Sequence, residues 1–299
     1  MPKVYVHIGL PKTATTTLQA DFFPSLKGGV YDYIGTPQPR DVAKDPLYMQ
    51  LYQVIRTGVD ISGAKKALVE RLSEGKSIIF SEEAIVVREQ DVPWQKKLEN
   101  LAVILDGVEF KLLVTVREPV AAMFSFYVEL YQRYKNENRS WQELATEHND
   151  FKIYHYEFLY FELERLFGHR SISTAHFEKI VKGDLSEVME FLDTLGAEDE
   201  MKEINRHNSK KSDLTHVYVE RKVSLNWLEA IYRKLGGPNN QLLRYVKNII
   251  NPWLIRLRRK SAGYIKINKP SAYESLFVKE FLLNQGQEIQ LRHGVDYLQ

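Results

Sequence analysis

The chain lacks cysteine, and no run of about 18 consecutive apolar residues occurs in its 299 residues. Without cysteine, neither a disulfide framework nor a cysteine-based metal site can form. Without a long apolar run, the sequence carries no signal for a membrane-spanning helix. Residues 1–3 lead directly into an apolar strand without the apolar region of a secretory signal. The sequence therefore predicts a cytoplasmic protein, unless a membrane anchor has been removed.

A large excess of charge of one sign is also absent, because 41 Lys and Arg are balanced by 39 Asp and Glu. Residues 206–260 depart from this balance, with 13 Lys and Arg against 3 Asp and Glu. Within them, 241–260 has apolar residues near one helical face and basic residues largely off it, although Pro252 must kink or divide the helix. This pattern suits peripheral contact with an anionic membrane, steering of an acidic glycan, or ordinary packing on a core.

Apolar patterns indicate how the chain is organised. Strands are predicted at about 3–9, 77–80, 110–116 and 171–177, and helices at about 15–23, 48–55, 63–72, 94–105, 120–135, 151–167 and 185–195. Alternation of strands and helices is typical of a parallel sheet covered on both faces. The sequence therefore predicts an α/β fold of the P-loop, nucleotide-kinase-like type over 1–200, with a mostly helical C-terminal part packed on it over 201–299.

The most informative segment is VYVHIGLPKTATTTLQ at positions 4–19. A β-branched and aromatic run ends at Gly9, and a Thr-rich stretch suited to capping a helix follows. Such a helix start turns free backbone N–H groups toward an anion, and Lys12 adds positive charge. A nucleotide triphosphatase loop needs G-x-x-x-x-G-K-[ST], but Ala14 and Thr15 stand where Gly and Lys are required. The segment is thus a phosphate-binding loop without the usual ATPase lysine.

Two motifs carry a resemblance to a known family. The P-K-T-x-T-T core at 11–16 resembles the 5′-phosphosulfate-binding loop of sulfotransferases that use 3′-phosphoadenosine 5′-phosphosulfate (PAPS). The family's 3′-phosphate signature, R-x-P-x(5)-S-x-Y, is matched at every named position by Arg117, Pro119, Ser125 and Tyr127. Weaker similarities occur at 81–83, 176–184 and 191–196, so the resemblance covers about residues 3–210. The layout is most similar to bacterial carbohydrate sulfotransferases.

The resemblance implies sulfuryl transfer from PAPS to a hydroxyl, with 3′-phosphoadenosine 5′-phosphate (PAP) as product and no metal. The acceptor implied by the resemblance is a carbohydrate, either a glycan or a glycolipid, and no nucleic acid is expected as a partner. The basic residues of 206–260 add the hypothesis that this acceptor is anionic. One departure is Ala14, which is Gly in most relatives. If that position has a positive φ, Ala costs about 1 kcal/mol, so the loop either avoids this region or is slightly strained.

The resemblance and the loop chemistry together predict the donor-binding residues, which are Pro11, Lys12, Thr13, Ala14, Thr15, Thr16, Thr17, Arg117 and Ser125. Lys12 is also predicted to be catalytic, because it can stabilise the charge that develops on the leaving 5′-phosphate. Arg117 follows a predicted strand at the sheet edge where open α/β sheets bind ligands, and its planar fork suits a phosphate monoester. The plainer alternatives are an ion pair of Arg117 with Glu118 or another carboxylate, and a neutral helix position for Ser125.

Glu82 is the predicted general base, because it ends a strand at the same sheet edge as Lys12 and Arg117. A carboxylate that merely orients one of these cations is the alternative, and Glu83 is expected to point elsewhere. His7 lies within the first strand and is predicted to be a packed, hydrogen-bonded core residue. The spacing of the histidines at 148, 155, 169 and 176 is not that of metal ligands, so no metal site is predicted.

Two other functions stay open at the level of the sequence. One is a kinase-like phosphotransferase of the same fold, which magnesium dependence would reveal. The other is a catalytically silent nucleotide-binding module that acts through its basic C-terminal part. Ala14 favours the silent module, whereas the presence of Lys12, Glu82 and Arg117 favours an enzyme.

Overall fold

The computed structural model describes residues 2–26, 29–36, 45–89, 92–135, 137, 139–194, 215–222, 261–283 and 292–293. Tertiary contacts divide the chain into two compact units. The first contains residues 1–208 and 270–299, and the second contains 209–269. None of the described helices is long and apolar enough to cross a bilayer. The basic segment 241–260 lies outside the described residues.

The first unit is built on a five-stranded sheet. Its strands are β1 (Val4–His7), β2 (Tyr31–Tyr33), β3 (Ser77–Ser81), β4 (Phe110–Val116) and β5 (Ile172–His176). The order across the sheet is β2-β3-β1-β4-β5, and every neighbouring pair is parallel. This arrangement confirms the predicted α/β fold class. It also brings the carboxyl ends of β3, β1 and β4 together at one edge of the sheet.

Helices flank this sheet. They are α1 (Thr15–Thr17), α2 (Phe23–Ser25), α3 (Pro46–Thr57), α4 (Ile61–Leu72), α5 (Trp94–Leu105), α6 (Pro119–Tyr134), α7 (Trp141–Glu147), α8 (Tyr156–Phe167), α9 (Phe177–Ile180), α10 (Ser186–Phe191) and α11 (Ala272–Leu283). A π-helical turn over Leu18–Phe22 joins α1 to α2, so the helix predicted at 15–23 is one helical segment of changing pitch. Three short 3-10 turns occur at Glu83–Val86, Asn149–Tyr154 and His169–Ser171.

The two faces of the sheet bury different sets of side chains. Val4 and Val6 of β1 belong to the larger cluster, which includes apolar residues of α3, α4, α5, α6 and α8. Tyr5, between them, belongs to the smaller cluster with residues of the first helical segment and α10. The alternation follows from the two-residue period of a strand. Burial on both faces explains why these strands appear in the sequence as continuous apolar runs.

The structure departs from the prediction in several places: α7 lies where no helix was predicted, and residues 151–154 of the predicted helix 151–167 belong to a 3-10 turn. β2 lies in a stretch predicted to be irregular, because three residues are too few to show a strand pattern and pairing with β3 defines the strand. In the C-terminal part, which was predicted to be mostly helical, the described residues contain α11 and, in the second unit, two antiparallel strands, β6 (His216–Lys222) and β7 (Ser261–Asn268). The alternation of Val217, Tyr218 and Val219 is the strand signal that the helical interpretation missed.

Candidate active site

The loop between β1 and α1 has an uncommon backbone. Both Lys12 and Ala14 have positive φ angles, of 69° and 65°, and Ala14 immediately precedes α1. Ala14 therefore carries the strain that its sequence position suggested, about 1 kcal/mol relative to Gly. Its carbonyl accepts hydrogen bonds from the N–H groups of Thr17 and Leu18 at 3.0 and 3.2 Å, which starts the helical segment.

Backbone donors of this loop are unused within the described residues. The N–H groups of positions 12 to 16, which are Lys12, Thr13, Ala14, Thr15 and Thr16, donate to no described acceptor. Helix starts leave such donors for caps, water or ligands. Because these donors accompany a lysine at the carboxyl end of a parallel strand, they suit an anionic ligand, and binding of such a ligand here stays a prediction.

Side chains on the inner side of the loop fix its shape. The Thr13 hydroxyl donates to the Leu10 carbonyl at 2.6 Å and shares a hydrogen bond with the Thr115 hydroxyl at 2.7 Å. The Thr15 hydroxyl donates to the same carbonyl at 3.2 Å. A Cβ on Gly9 would lie 2.6 Å from the Thr15 hydroxyl oxygen, so only glycine fits there. The loop therefore uses Thr13 and Thr15 for its own structure and leaves mainly backbone groups for a ligand.

His7 continues this buried polar network across the sheet. Its Nδ1 lies 2.8 Å from the Ser81 hydroxyl and its Nε2 lies 3.4 Å from the Thr115 hydroxyl. Gln19 donates to the Ser81 hydroxyl at 3.1 Å. Burial lowers the pKa of His7 to about 3, so the imidazole is neutral at physiological pH. His7 is thus the packed, hydrogen-bonded core residue that its strand position predicts.

Arg117 follows β4 directly and lies against the loop. Its Nη1 donates to the Lys12 carbonyl at 3.2 Å, and its Cζ lies 4.3 Å from the centre of the Phe177 ring. The Tyr156 hydroxyl donates to the Arg117 carbonyl at 2.5 Å and accepts from the Arg117 N–H at 3.1 Å. These contacts hold both the backbone and the guanidinium at the carboxyl end of the sheet.

Arg117 forms no ion pair with any residue that the structure describes. Glu118, the partner considered from the sequence, instead caps α6 by accepting from the N–H groups of Val120 and Ala121 at 3.3 and 2.6 Å. Ser125 lies half-buried on α6, and no described residue hydrogen-bonds to its hydroxyl. Both polar groups of the second motif thus retain free donors, although their role in phosphate binding stays a prediction.

Glu82 is engaged in internal contacts. It is 3% exposed, and its Oε2 accepts from the hydroxyls of Thr36 and Tyr48. Its Oε1 accepts from the Ala84 N–H at 2.8 Å, which caps the 3-10 turn. The buried Lys97 ammonium donates to two carbonyls of the same region, and burial lowers its pKa to about 8. These hydrogen bonds tie the Glu82 carboxylate to the turn after β3 rather than to Lys12 or Arg117.

The carboxylate that contacts Lys12 is Glu129, which the sequence interpretation missed. The two side chains form an ion pair, and that of Glu129 is 49% exposed. Glu129 lies four residues after Ser125 on α6, and this helical spacing, which places both on one face, is the signal that could have found it. Tyr154, whose pKa is raised mainly by burial, donates its hydroxyl to the Pro11 carbonyl at 2.9 Å and so supports the same loop.

Comparison with known proteins gives only distant similarity. No protein-family model matches the chain, and no curated protein matches its sequence. A sulfotransferase from Alicyclobacillus acidocaldarius is 14% identical, with 68% of this chain and 87% of that chain covered and a TM-score of 0.40. The sulfotransferase domain from the curacin biosynthetic pathway is 12% identical, with 64% of this chain and 74% of that chain covered and a TM-score of 0.36. Retinol dehydratase in complex with androsterone and inactive cofactor PAP is 12% identical, with 99% of this chain and 82% of that chain covered and a TM-score of 0.36. Similarity of this strength does not establish a family, so the function is inferred from the residues of the site.

Proposed function

We propose that the chain is a PAPS-dependent sulfotransferase that transfers a sulfuryl group to a hydroxyl. The observation that carries this proposal is the pairing of two anion-binding features at one sheet edge. The loop offers unused N–H groups with Lys12, and Arg117 beside it has no described carboxylate partner. A donor with a 5′-phosphosulfate and a 3′-phosphate would satisfy both, because each feature suits one of its anionic ends.

The proposed residue roles follow the charge changes of the transfer. The acceptor oxygen forms a bond to sulfur while the bond between sulfur and the 5′-phosphate oxygen breaks, and the electron pair stays on that phosphate. Lys12 and the N–H groups of positions 12–16 stabilise this negative charge, and loss of one such donor typically costs ~3–4 kcal/mol. Arg117 and Ser125 bind the 3′-phosphate and so fix the position of the donor relative to the loop.

The acceptor hydroxyl must also lose its proton to a base. Glu82 is the base that the sequence predicts, but its carboxylate already accepts three hydrogen bonds within the fold. Glu129 is half-exposed and contacts Lys12, so donor binding that draws Lys12 to the phosphosulfate would release this carboxylate. Glu129 is therefore the better supported proton acceptor, and Glu82 becomes a residue that positions the turn after β3.

The finer points of the assignment are also proposals. A carbohydrate acceptor is supported by the resemblance of the motifs to bacterial glycan-modifying sulfotransferases, and a metal-free reaction is supported by Lys12 and the backbone donors. Cytoplasmic residence and a contact of 241–260 with a membrane or an acidic acceptor are supported by sequence composition alone.

The donor assignment is tested by ligand-induced thermal stabilisation. PAP should raise the melting temperature of the parent protein by mass action, and ATP with magnesium should do so much less. Arg117→Ala should weaken PAP binding by roughly 1.5–3 kcal/mol, the usual value of hydrogen bonds to a charged group. Arg165→Ala is the matched control, since Arg165 is an exposed arginine of α8 that pairs with Glu162 at 2.6 Å.

Turnover is measured separately by mass detection of sulfate on a glycan panel incubated with protein and PAPS. Equal stabilisation by PAP and ATP with magnesium, or PAP binding that Arg117→Ala leaves unchanged, would contradict the proposal. Transfer of phosphate from ATP to the same acceptors would instead support the kinase-like alternative.

A further inference from the structure

Three potential metal ligands meet at the end of α8. They are Glu164 of α8, His169 of the following 3-10 turn, and His293. Their ligand atoms all lie within 4.8 Å of one another. Glu164 Oε1 is 2.6 Å from His293 Nε2 and 3.6 Å from His169 Nδ1. Two imidazoles thus converge on one carboxylate oxygen.

The local fold explains this convergence. α8 ends at Gly168, whose φ of 78° turns the chain back so that His169 lies beside Glu164. His293 packs on Tyr160, with 4.4 Å between ring centres, and the fully buried Tyr160 shares a 2.6 Å hydrogen bond with Thr174. The ring of His293 is therefore supported by the core, so little side-chain freedom would be lost when it binds a ligand.

We propose that Glu164, His169 and His293 bind a divalent transition metal, with zinc as the first choice. Two imidazole nitrogens and one carboxylate oxygen are a donor set that suits Zn²⁺. Around a tetrahedral Zn²⁺ with ligand bonds of ~2.0–2.1 Å, ligand atoms lie about 3.4 Å apart. The 3.6 Å between Glu164 Oε1 and His169 Nδ1 is close to this value, whereas the 2.6 Å hydrogen bond between Glu164 Oε1 and His293 Nε2 would have to lengthen when the metal binds. The His169 side chain is 57% exposed, which leaves room for water as a fourth ligand.

A simple network of ion pairs is the competing explanation. Arg292 Nη1 pairs with Glu164 Oε2 at 2.8 Å, which already compensates the carboxylate and leaves Oε1 to the histidines. The imidazole of His293 alone would complete such a network. The structure also places His169 there, with 5.2 Å between the centres of the two imidazole rings. A shared metal would explain why both rings gather at one oxygen, because a single metal ion accepts lone pairs from two neutral imidazoles and a carboxylate.

The metal would connect parts of the chain that lie far apart in sequence. His293 and Glu164 are separated by 129 positions, so a metal bound to both would hold the residue pair Arg292–His293 to α8. This site shares no residue with the loop, Arg117 or the candidate bases. Its role is thus stabilisation of the fold, independent of sulfuryl transfer.

The test uses the full chain after treatment with a chelator and desalting, titrated with ZnCl₂ by calorimetry and with CoCl₂ by visible absorption. We expect one equivalent of metal and a rise in melting temperature. His169→Ala should weaken binding roughly tenfold or more, since even outer partners of a metal typically contribute 10–100-fold. Because His169 is exposed, this variant should fold, whereas His293→Ala also loses packing on Tyr160. His216→Ala, at a histidine of the second unit, is the control and should bind as the parent does.

Absence of stoichiometric binding, or equal affinity in the parent and in His169→Ala, would overturn the metal site. The outcome is separable from the proposed enzymatic function. Chelation should lower the melting temperature while turnover measured well below that temperature stays unchanged, and PAP binding should survive in His169→Ala.

Discussion

Glu82 follows β3 and Arg117 follows β4, the two strands on either side of β1. The two residues differ in how many of their polar groups are hydrogen-bonded within the fold. Glu82, after β3, is buried and accepts three hydrogen bonds from its own fold. Arg117, after β4, donates to one backbone carbonyl and has no described anionic partner. A satisfied buried charge stabilises structure, whereas a cation with unused donors beside unused N–H groups is ready for a ligand. The comparison supports the proposal that the β4 side contacts the donor, while the hydrogen bonds on the β3 side stabilise the fold.

The largest expected effect concerns the two candidate bases. Glu129→Gln should lower kcat by ~10²–10⁴-fold, because a general base contributes that much, while PAP binds at least as tightly since Lys12 loses a competing carboxylate. Glu82→Gln should lower the melting temperature with a smaller loss of kcat. The measurements are PAPS turnover, thermal unfolding and PAP titration of both variants.

Glu99→Gln is the matched control for Glu129→Gln, because Glu99 is a surface glutamate that pairs with Lys96 at 3.0 Å. It should be active. Full activity of Glu129→Gln together with an inactive but folded Glu82→Gln would show that Glu82 is the base. The conclusion that the residue after β3 has only a structural role would then be wrong.

A second effect, of about 2 kcal/mol, concerns the neutral core beneath the loop. His7 has a pKa of about 3 in the fold against an ordinary value of 6.5. Below pH 6.5 the unfolded chain takes up a proton that the fold excludes, so stability falls as the pH drops from 6.5 toward 3. Linkage gives a loss of about 2 kcal/mol between pH 7 and pH 5 from this residue. His7→Gln, which can hydrogen-bond but does not titrate, should lose that part of the decline in denaturant unfolding. Identical pH slopes in both proteins would show that His7 becomes protonated without unfolding.

The smallest effect concerns the strain in the loop. Ala14→Gly should raise the free energy of unfolding by up to about 1 kcal/mol, because glycine adopts a φ of 65° without the steric cost of a Cβ. Thermal unfolding without ligand measures this. Ala20→Gly, in the π-helical turn, is the control and should be destabilising. A loss of stability in Ala14→Gly would mean that the methyl group contributes more by packing than the backbone loses by strain.

The sequence carried enough local information to predict much of the fold. The bounds of α5 and β4 were predicted to the residue, because a buried strand and an amphipathic helix each leave a strong pattern over many positions. The three-residue β2, the helix α7 and the antiparallel pair of β6 and β7 were not predicted. Pairing with β3 defines β2, and a competing helical interpretation obscured β6 and β7.

The candidate site was only partly predictable, because contacts across the fold decide how its residues are used. The motif spacing predicted the loop and Arg117 as donor-binding residues, and that role stays a prediction. The spacing did not show that Thr36 and Tyr48 saturate Glu82, or that Glu129 contacts Lys12 from another helix. The meeting of His293 with Glu164 is the extreme case, since no local spacing links residues 129 positions apart.

The ion pair of Lys12 with Glu129 has a consequence for which anions the loop accepts. In the resting protein the lysine already has a tethered counter-anion, so a free anion must compete with a carboxylate at high effective concentration. Chloride and acetate carry one charge and gain little by this exchange, whereas a phosphosulfate has more charge and also engages the backbone donors. We expect the loop to discriminate against monovalent anions in favour of the proposed donor.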